Sequence, residues 1–197
     1  MPGSILLVCT GNVCRSPIAE GMLRALLQER LAEAAPLVAS AGTGASEGRS
    51  ATEEAVAAAA ELGVDIAGHR ARQLRAEHVR AADLVIGMAE EHAEAAVALD
   101  PAAAGRAFTL KELVRLLEAV PDPEVGATPR DTLRARVRQA DERRRRVAGG
   151  NPFDTDVVDP MGQGLEVYRA VVWELQRWCV RLADALVSEP PARAAEG

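Results

Sequence analysis

The sequence predicts an α/β fold, a doubly wound four-stranded parallel sheet with helices on both faces. Three observations lead there. Four short, continuous apolar runs each end at a turn signal, and each is followed by a stretch of helical periodicity. The runs do not alternate apolar with polar, as a half-solvated strand would, so both faces of the sheet are covered. The length, 197 residues with 48% apolar and 26% charged, suits one domain with a full core and is too short for two comfortable ones.

The elements follow in order. Residues 4–8 form the first strand, closed by a Thr-Gly-Asn turn over residues 10–12. Ser16-Pro17 supplies an N-cap followed by proline at the first helical position. Ile18, Met22, Ala25 and Leu26 then share one face of a helix reaching about residue 34. A strand over residues 37–40 leads into an Ala41-Gly42 turn, and a second helix spans roughly residues 50–62, stopping at Gly63. Residues 65–82 are mostly polar loop with room for one helical turn. Residues 83–88 make a third strand, followed by a helix over 90–99; residues 107–109 make a fourth, with 110–120 as its helix. The periodicity then breaks. Residues 121–150 run from a proline-bounded start to Gly149-Gly150, and residues 130–146 carry eight arginines against Asp131, Asp141 and Glu142. This predicts an exposed, arginine-rich helical insertion, which either forms a solvated face with local ion pairs or binds acidic partners. A polar loop over residues 151–163 precedes a last helix at about 165–187, with Leu165, Tyr168, Val172, Leu175 and Leu182 on its buried side. The expected organisation is one domain over residues 1–187, with 121–150 inserted and 188–197 a flexible tail.

Composition removes several classes of function. The net charge of −6 argues against a general nucleic-acid surface. Three cysteines do not make a disulfide scaffold, and an odd count fits a reducing cytoplasm. Lys111 is the only lysine. A P-loop is therefore absent, and Schiff-base chemistry would rest on that one residue in an ordinary amphipathic stretch. No segment is long and apolar enough for a membrane span, and the apolar run at residues 5–8 is too short for a signal peptide. Metal ligation is not expected, because there is no Cys-x-x-Cys or His-Glu-x-x-His and the three histidines are scattered. No cofactor is implied.

One loop carries chemistry. Residues 9–17 read Cys-Thr-Gly-Asn-Val-Cys-Arg-Ser-Pro, between a strand and a helix. A cysteine at a strand's carboxyl end, facing a helix N-terminus, meets unpaired amides and a positive dipole that favour thiolate. Thr10, Gly11, Asn12, Val13 and Cys14 can curl so that their N–H groups form a nest for a tetrahedral dianion. Arg15 adds a planar fork matched to two phosphoryl oxygens. The helix has no acid in its first turn, where a carboxylate would compete with the anion. Strand, Cys-x5-Arg-Ser and helix together make a site for covalent phosphate transfer.

These residues closely resemble the low-molecular-weight protein tyrosine phosphatase family, through Val8 to Pro17, the Ser40-Ala41-Gly42 turn and Asp159-Pro160 before the last helix. The resemblance implies a phosphatase acting on phosphoproteins. Cys9 would be the nucleophile and form a phosphocysteine, and Arg15 with the loop amides would hold the equatorial oxygens. Asp159 would be the general acid and then the base. It further implies that Asn12, Ser16, Ser40 and His69 form a hydrogen-bond network shaping the loop, with Ser16 both capping the helix and donating to Cys9. Asp154, Asp156 and Asp122-Pro123 are nearby alternatives to Asp159 without its placement. Cys14 is either a redox partner for Cys9 or a small loop residue. Cys179 belongs to the core, and His78 and His92 to helix surfaces.

Two positions bear on substrate. Val13 stands where the tyrosine phosphatases often carry Ile and the family's protein-arginine phosphatases carry Thr, and it favours phosphotyrosine. Met161 stands where tyrosine phosphatases tend to place an aromatic, and can pack on a ring through its sulfur. The expected partners are phosphorylated proteins, with a cognate bacterial tyrosine kinase among them, in the cytoplasm. A protein-arginine phosphatase is the alternative. A thiol-coupled arsenate reductase of the family with an intramolecular relay needs two further cysteines near residues 83–99, where there are none, which leaves only a relay through an external low-molecular-weight thiol. A non-catalytic phosphoprotein-binding module has no need of both Cys9 and Asp159.

Overall fold

The computed structural model describes residues 2–121, 128–147 and 155–187. Asp122-Pro123, Gly149-Gly150, Asp154 and residues 188–197, all named above, lie outside them. The elements are β1 (Ser4–Cys9), α1 (Arg15–Leu31), β2 (Leu37–Gly42), α2 (Glu53–Ala60), α3 (Ala76–Ala81) and β3 (Leu84–Gly87), then α4 (Glu90–Leu99), β4 (Ala107–Thr109), α5 (Leu110–Glu118), α6 (Pro129–Arg146) and α7 (Leu165–Leu186). The four strands are parallel in the order β2-β1-β3-β4.

Successive residues of one strand feed opposite layers. Ile5, Leu7, Leu84, Ile86 and Phe108 pack with α1, α2, α5, α6 and α7. Leu6, Val8, Val85 and Ala107 pack with α3 and α4. Both faces are therefore covered, which is why the strands are continuously apolar. The chain winds from β1 to β2 on one side and to β3 and β4 on the other. The crevice at the carboxyl ends of β1 and β3 is the switch point of such a sheet.

Several local expectations change. The Ser40-Ala41-Gly42 turn is the end of β2, with Gly42 opposite Cys9 in the register. The second helix begins only at Glu53, because Thr52 caps it by accepting from the Ala55 N–H. It ends before Gly63, whose φ of 74° lies in the left-handed region that favours glycine. Residues 65–82 are otherwise as expected, with one short helix, α3, over Ala76–Ala81.

The arginine-rich segment is the helix expected of it, but it is exposed on one side only. α6 buries Leu133, Arg136, Val137 and Ala140. Arg145 and Arg146 stay exposed and pair locally with Asp141 and Glu142, as expected, whereas other arginines act on the fold itself. Arg130 and Arg134 both reach Asp83, at 3.0 and 2.8 Å. Arg144 donates to the Ala107 carbonyl at 2.9 Å and lies 4.2 Å from the Phe108 ring centre, covering the free edge of β4. Asp83 also accepts the Ser4 N–H at 3.0 Å, so one carboxylate ties α6 to the start of β1.

Burial alone would raise the Asp83 carboxyl, but hydrogen bonds from Arg134 and Arg130, with their charges, hold it below its ordinary value. A carboxyl lowered in the fold stabilises it above the unfolded value of about 3.9 and loses that contribution as pH falls through the folded value. Asp83→Ala is expected to destabilise the protein by about 1–3 kcal/mol at neutral pH. Denaturant unfolding at neutral pH and near pH 3 checks this, with the gap to wild type narrowing in acid.

Candidate active site

β1 ends at Cys9, and the next five residues turn over its end before α1 begins at Arg15. Asn12 takes a left-handed backbone, φ 52°, which brings its N–H within 3.3 Å of Cys9 Sγ. Ser16 Oγ lies 2.9 Å from the same sulfur. A thiolate at Cys9 would accept from both. The expected N-cap role of Ser16 fails: Cys14 is the N-cap and makes no side-chain cap bond. The reason is that the Ser16 hydroxyl is engaged with Cys9 and with the Asn12 amide. The first-turn amides are consequently not capped by any side chain, and α1 has no acid there to compete for an anion.

The support residues converge. Asn12 Nδ2 donates to Ser16 Oγ at 2.9 Å and to Ser40 Oγ at 2.8 Å. The Ser40 hydroxyl donates onward to Glu20 at 2.5 Å. Asn12 Oδ1 accepts the Arg72 N–H, and its carbonyl oxygen lies 2.8 Å from His69 Nε2. The Val13 carbonyl accepts the Thr52 N–H at 3.0 Å, tying the loop to α2. Gly42 runs so close beneath the loop that a Cβ there would sit 2.4 Å from the Thr10 carbonyl oxygen. Burial lowers the His69 imidazole below its ordinary value.

Arg15 is buried and joins the loop to Asp159. Nη2 meets Asp159 Oδ2 at 2.6 Å and Thr10 Oγ1 at 3.4 Å, and Nη1 donates to the Val157 carbonyl at 3.1 Å. Its Nε is buried without a hydrogen-bond partner. Asp159 is half-exposed and accepts the Met161 N–H at its other oxygen, at 3.1 Å. Met161 itself is exposed, whereas Val13 is only 1% exposed and covered by its surroundings. Asp156 caps α4 by accepting the Glu90 N–H at 2.9 Å, a structural task that separates it from Asp159.

Cys14 is buried, and desolvation with the neighbouring Cys9 pushes its thiol up to about 12, so it stays protonated at neutral pH. Cys9, Cys14 and Cys179 are all free thiols. Among the described residues no three His, Cys, Asp or Glu side chains converge as metal ligands, and no helix is long and apolar enough to cross a membrane.

His92 is the main residue that sequence reasoning misplaced. It is 1% exposed, and its Nε2 lies 2.9 Å from Thr10 Oγ1. The signal existed in part: the first turn of a helix after a strand faces the carboxyl-end crevice. Only the adjacency of β3 to β1 shows that this crevice is the Cys9 loop. Glu20 and Arg72 meet the loop through Ser40 and Asn12, contacts that only the pairing of β2 with β1 reveals.

Burial lowers the His92 imidazole, and the Arg15 charge adds to this against Glu91, Asp156 and Asp159. A histidine held below its unfolded value of about 6.5 favours the fold when neutral. The unfolded chain then binds the extra proton, so stability is full above about pH 6.5 and falls as pH drops toward the folded value. His92→Gln keeps a neutral N–H donor and removes that proton uptake. Its melting temperature is expected to depend less steeply on pH between about 5 and 6.5 than that of wild type. Thermal melts across that window decide it, and equal slopes would refute the assignment.

The geometry matches known proteins. Residues 4–146 match the family model described as low molecular weight phosphotyrosine protein phosphatase. The protein-arginine-phosphatase of Geobacillus stearothermophilus is 34% identical over 189 residues, covering 96% of this chain and 99% of that protein. The low molecular weight protein-tyrosine-phosphatase Etp of Escherichia coli is 38% identical over 120 residues, 61% of this chain and 76% of Etp. Among solved structures, the YwlE arginine phosphatase from Geobacillus stearothermophilus superposes with a TM-score of 0.68 at 33% identity, over 94% of this chain and 93% of its own. With the family model matched over residues 4–146 and a relative 34% identical along almost its whole length, the chain belongs to the low molecular weight phosphotyrosine protein phosphatase family.

Proposed function

We propose that this protein hydrolyses phosphate monoesters on proteins, phosphotyrosine before others, through a phosphocysteine intermediate. The observation that carries the reading is the Cys9 sulfur held by the Asn12 amide and the Ser16 hydroxyl, beside the unpartnered Arg15 Nε. Cys9 attacks phosphorus in line with the ester oxygen. The loop amides and Arg15 take the equatorial oxygens, where charge spreads in the transition state. An incoming dianion competes with Asp159 for Arg15 and frees its carboxyl beside the leaving oxygen. Asp159, in its acid form, protonates that oxygen, and as the carboxylate it then activates the water that cleaves the phosphocysteine. Burial as a thiol favours a packing role for Cys14 over a redox one. The reading places the protein in the cytoplasm, acting on phosphorylated proteins that include a bacterial tyrosine kinase.

Val13 supports phosphotyrosine, because it brings an apolar β-branched side chain and no hydroxyl to the loop. A second reading, phosphoarginine, is favoured by the likeness to a protein-arginine-phosphatase along 96% of the chain. Turnover of phosphotyrosine and phosphoarginine peptides separates the two. Cys9→Ser is expected to lose at least about a thousandfold in rate, and Asp159→Ala about 10²–10⁴-fold on phosphotyrosine. Val13→Thr should move the preference toward phosphoarginine. Activity retained by Cys9→Ser would sink the mechanism. A wild-type preference for phosphoarginine would sink the substrate assignment alone.

A further inference from the structure

Lys111, the only lysine of the chain, is not the ordinary amphipathic-helix residue that the sequence suggests. It stands at the second position of α5, immediately past β4, and its side chain is 5% exposed. Nζ donates to the backbone carbonyl of Asp156 at 2.5 Å and pairs with Glu174 of α7 at 2.7 Å. A buried ammonium is tolerated only when it is paired and hydrogen-bonded, so both contacts belong to one arrangement. The partners come from separate elements, a loop carbonyl and a helix carboxylate. A compact ammonium on a flexible four-carbon stem, with three rotatable donors, serves both.

The contacts of the loop around Asp159 show what this achieves. Asp156 is held by Lys111 through its carbonyl and by the Glu90 N–H through its carboxylate. The Val157 N–H donates to the Met88 carbonyl at 2.7 Å, and the buried Val157 side chain joins the core. Two further ties, from Arg15 to the Val157 carbonyl and to Asp159, use the same guanidinium that must bind phosphate. When an oxyanion engages Arg15, the anchors described at Asp156 and at the Val157 amide and side chain do not depend on it. We propose that Lys111 is a positioning residue for the general acid, keeping the 155–159 loop seated so that Asp159 reaches the leaving oxygen during phosphoryl transfer. This rests on the proposed role of Asp159 as the acid.

The effect has a signature that a general loss of stability does not share. Proton donation matters most for a strongly basic leaving group. Lys111→Met, checked for folding by its melting transition, is expected to lower kcat/KM on phenyl phosphate by about 10–100-fold, the range that small misplacements of a reacting group produce. The loss on p-nitrophenyl phosphate, whose leaving group is a much weaker base, should be about tenfold smaller. In an Asp159→Asn background the same substitution should add less than about twofold on either substrate. Lys111→Gln, which keeps a neutral N–H for the Asp156 carbonyl, should show the same pattern at smaller amplitude, and it carries the test if the methionine variant does not fold. Equal losses on both substrates, or losses that add fully to those of Asp159→Asn, overturn the role of Lys111. If Asp159→Asn alone shows no leaving-group dependence, the acid assignment falls and the role of Lys111 falls with it. A leaving-group dependence in Asp159→Asn but in neither Lys111 variant overturns the Lys111 proposal alone.

Discussion

Asn12 holds a left-handed backbone that asparagine tolerates better than most residues, and nearly every polar group it owns keeps it there. Its side-chain amide reaches Ser16, Ser40 and the Arg72 N–H, and its carbonyl meets His69. Without that fixed turn, the Asn12 amide would not point at Cys9 and Ser16 would lose a partner while facing the sulfur. The nest is thus not a property of a flexible glycine loop. It is a conformation over-determined by contacts from β2, α1 and the segment before α3.

The same constraint explains the strand arrangement around it. Ser40 lies beneath Asn12 because β2 pairs with β1 in a register that places Leu7 opposite Ser40 and Cys9 opposite Gly42. Gly42 is needed there because the Thr10 carbonyl and the Asn12 amide approach to 2.4 and 2.9 Å of where a Cβ would stand. On the other flank, β3 delivers Met88, which accepts the Val157 N–H, and then His92, which meets Thr10. The two neighbours of the central strand therefore divide the work. One shapes the loop that holds Cys9, and the other seats the loop that carries Asp159.

What was legible in the sequence follows the same division. Cys9 through Pro17 are contiguous, so strand end, turn and helix start could be read locally, and both strand boundaries near β4 and the α4 limits agree with the structure. Contacts across the sheet could not be read this way. His92, Lys111 and the Asp83 pair with Arg130 and Arg134 each join residues far apart in the chain, through a strand order that periodicity does not encode. Ser16 illustrates a local inference overridden by tertiary context. Serine before proline is a strong cap signal, yet its hydroxyl has better partners in Cys9 and Asn12. The arginine-rich helix misled in part for a related reason: charge density suggests solvent, while Arg130 and Arg134 find Asp83 and Arg144 finds the edge of β4.

The cations of the chain consequently differ in kind more than the net charge of −6 suggests. Arg130, Arg134 and Arg144 are matched by acids or carbonyls within the fold, and they add little attraction for a distant anion once so paired. Arg15 differs, since its Nε is buried without a partner and its Nη2 is held by a half-exposed carboxylate that can leave. Close beside it, His92 Nδ1 is also buried without a partner while Nε2 engages Thr10. An anion entering the loop would therefore satisfy a group that has no partner within the fold, in surroundings where burial strengthens each bond. The attraction of the site for an anion thus arises from the Asn12 N–H and the Arg15 guanidinium, not from the net charge of the chain.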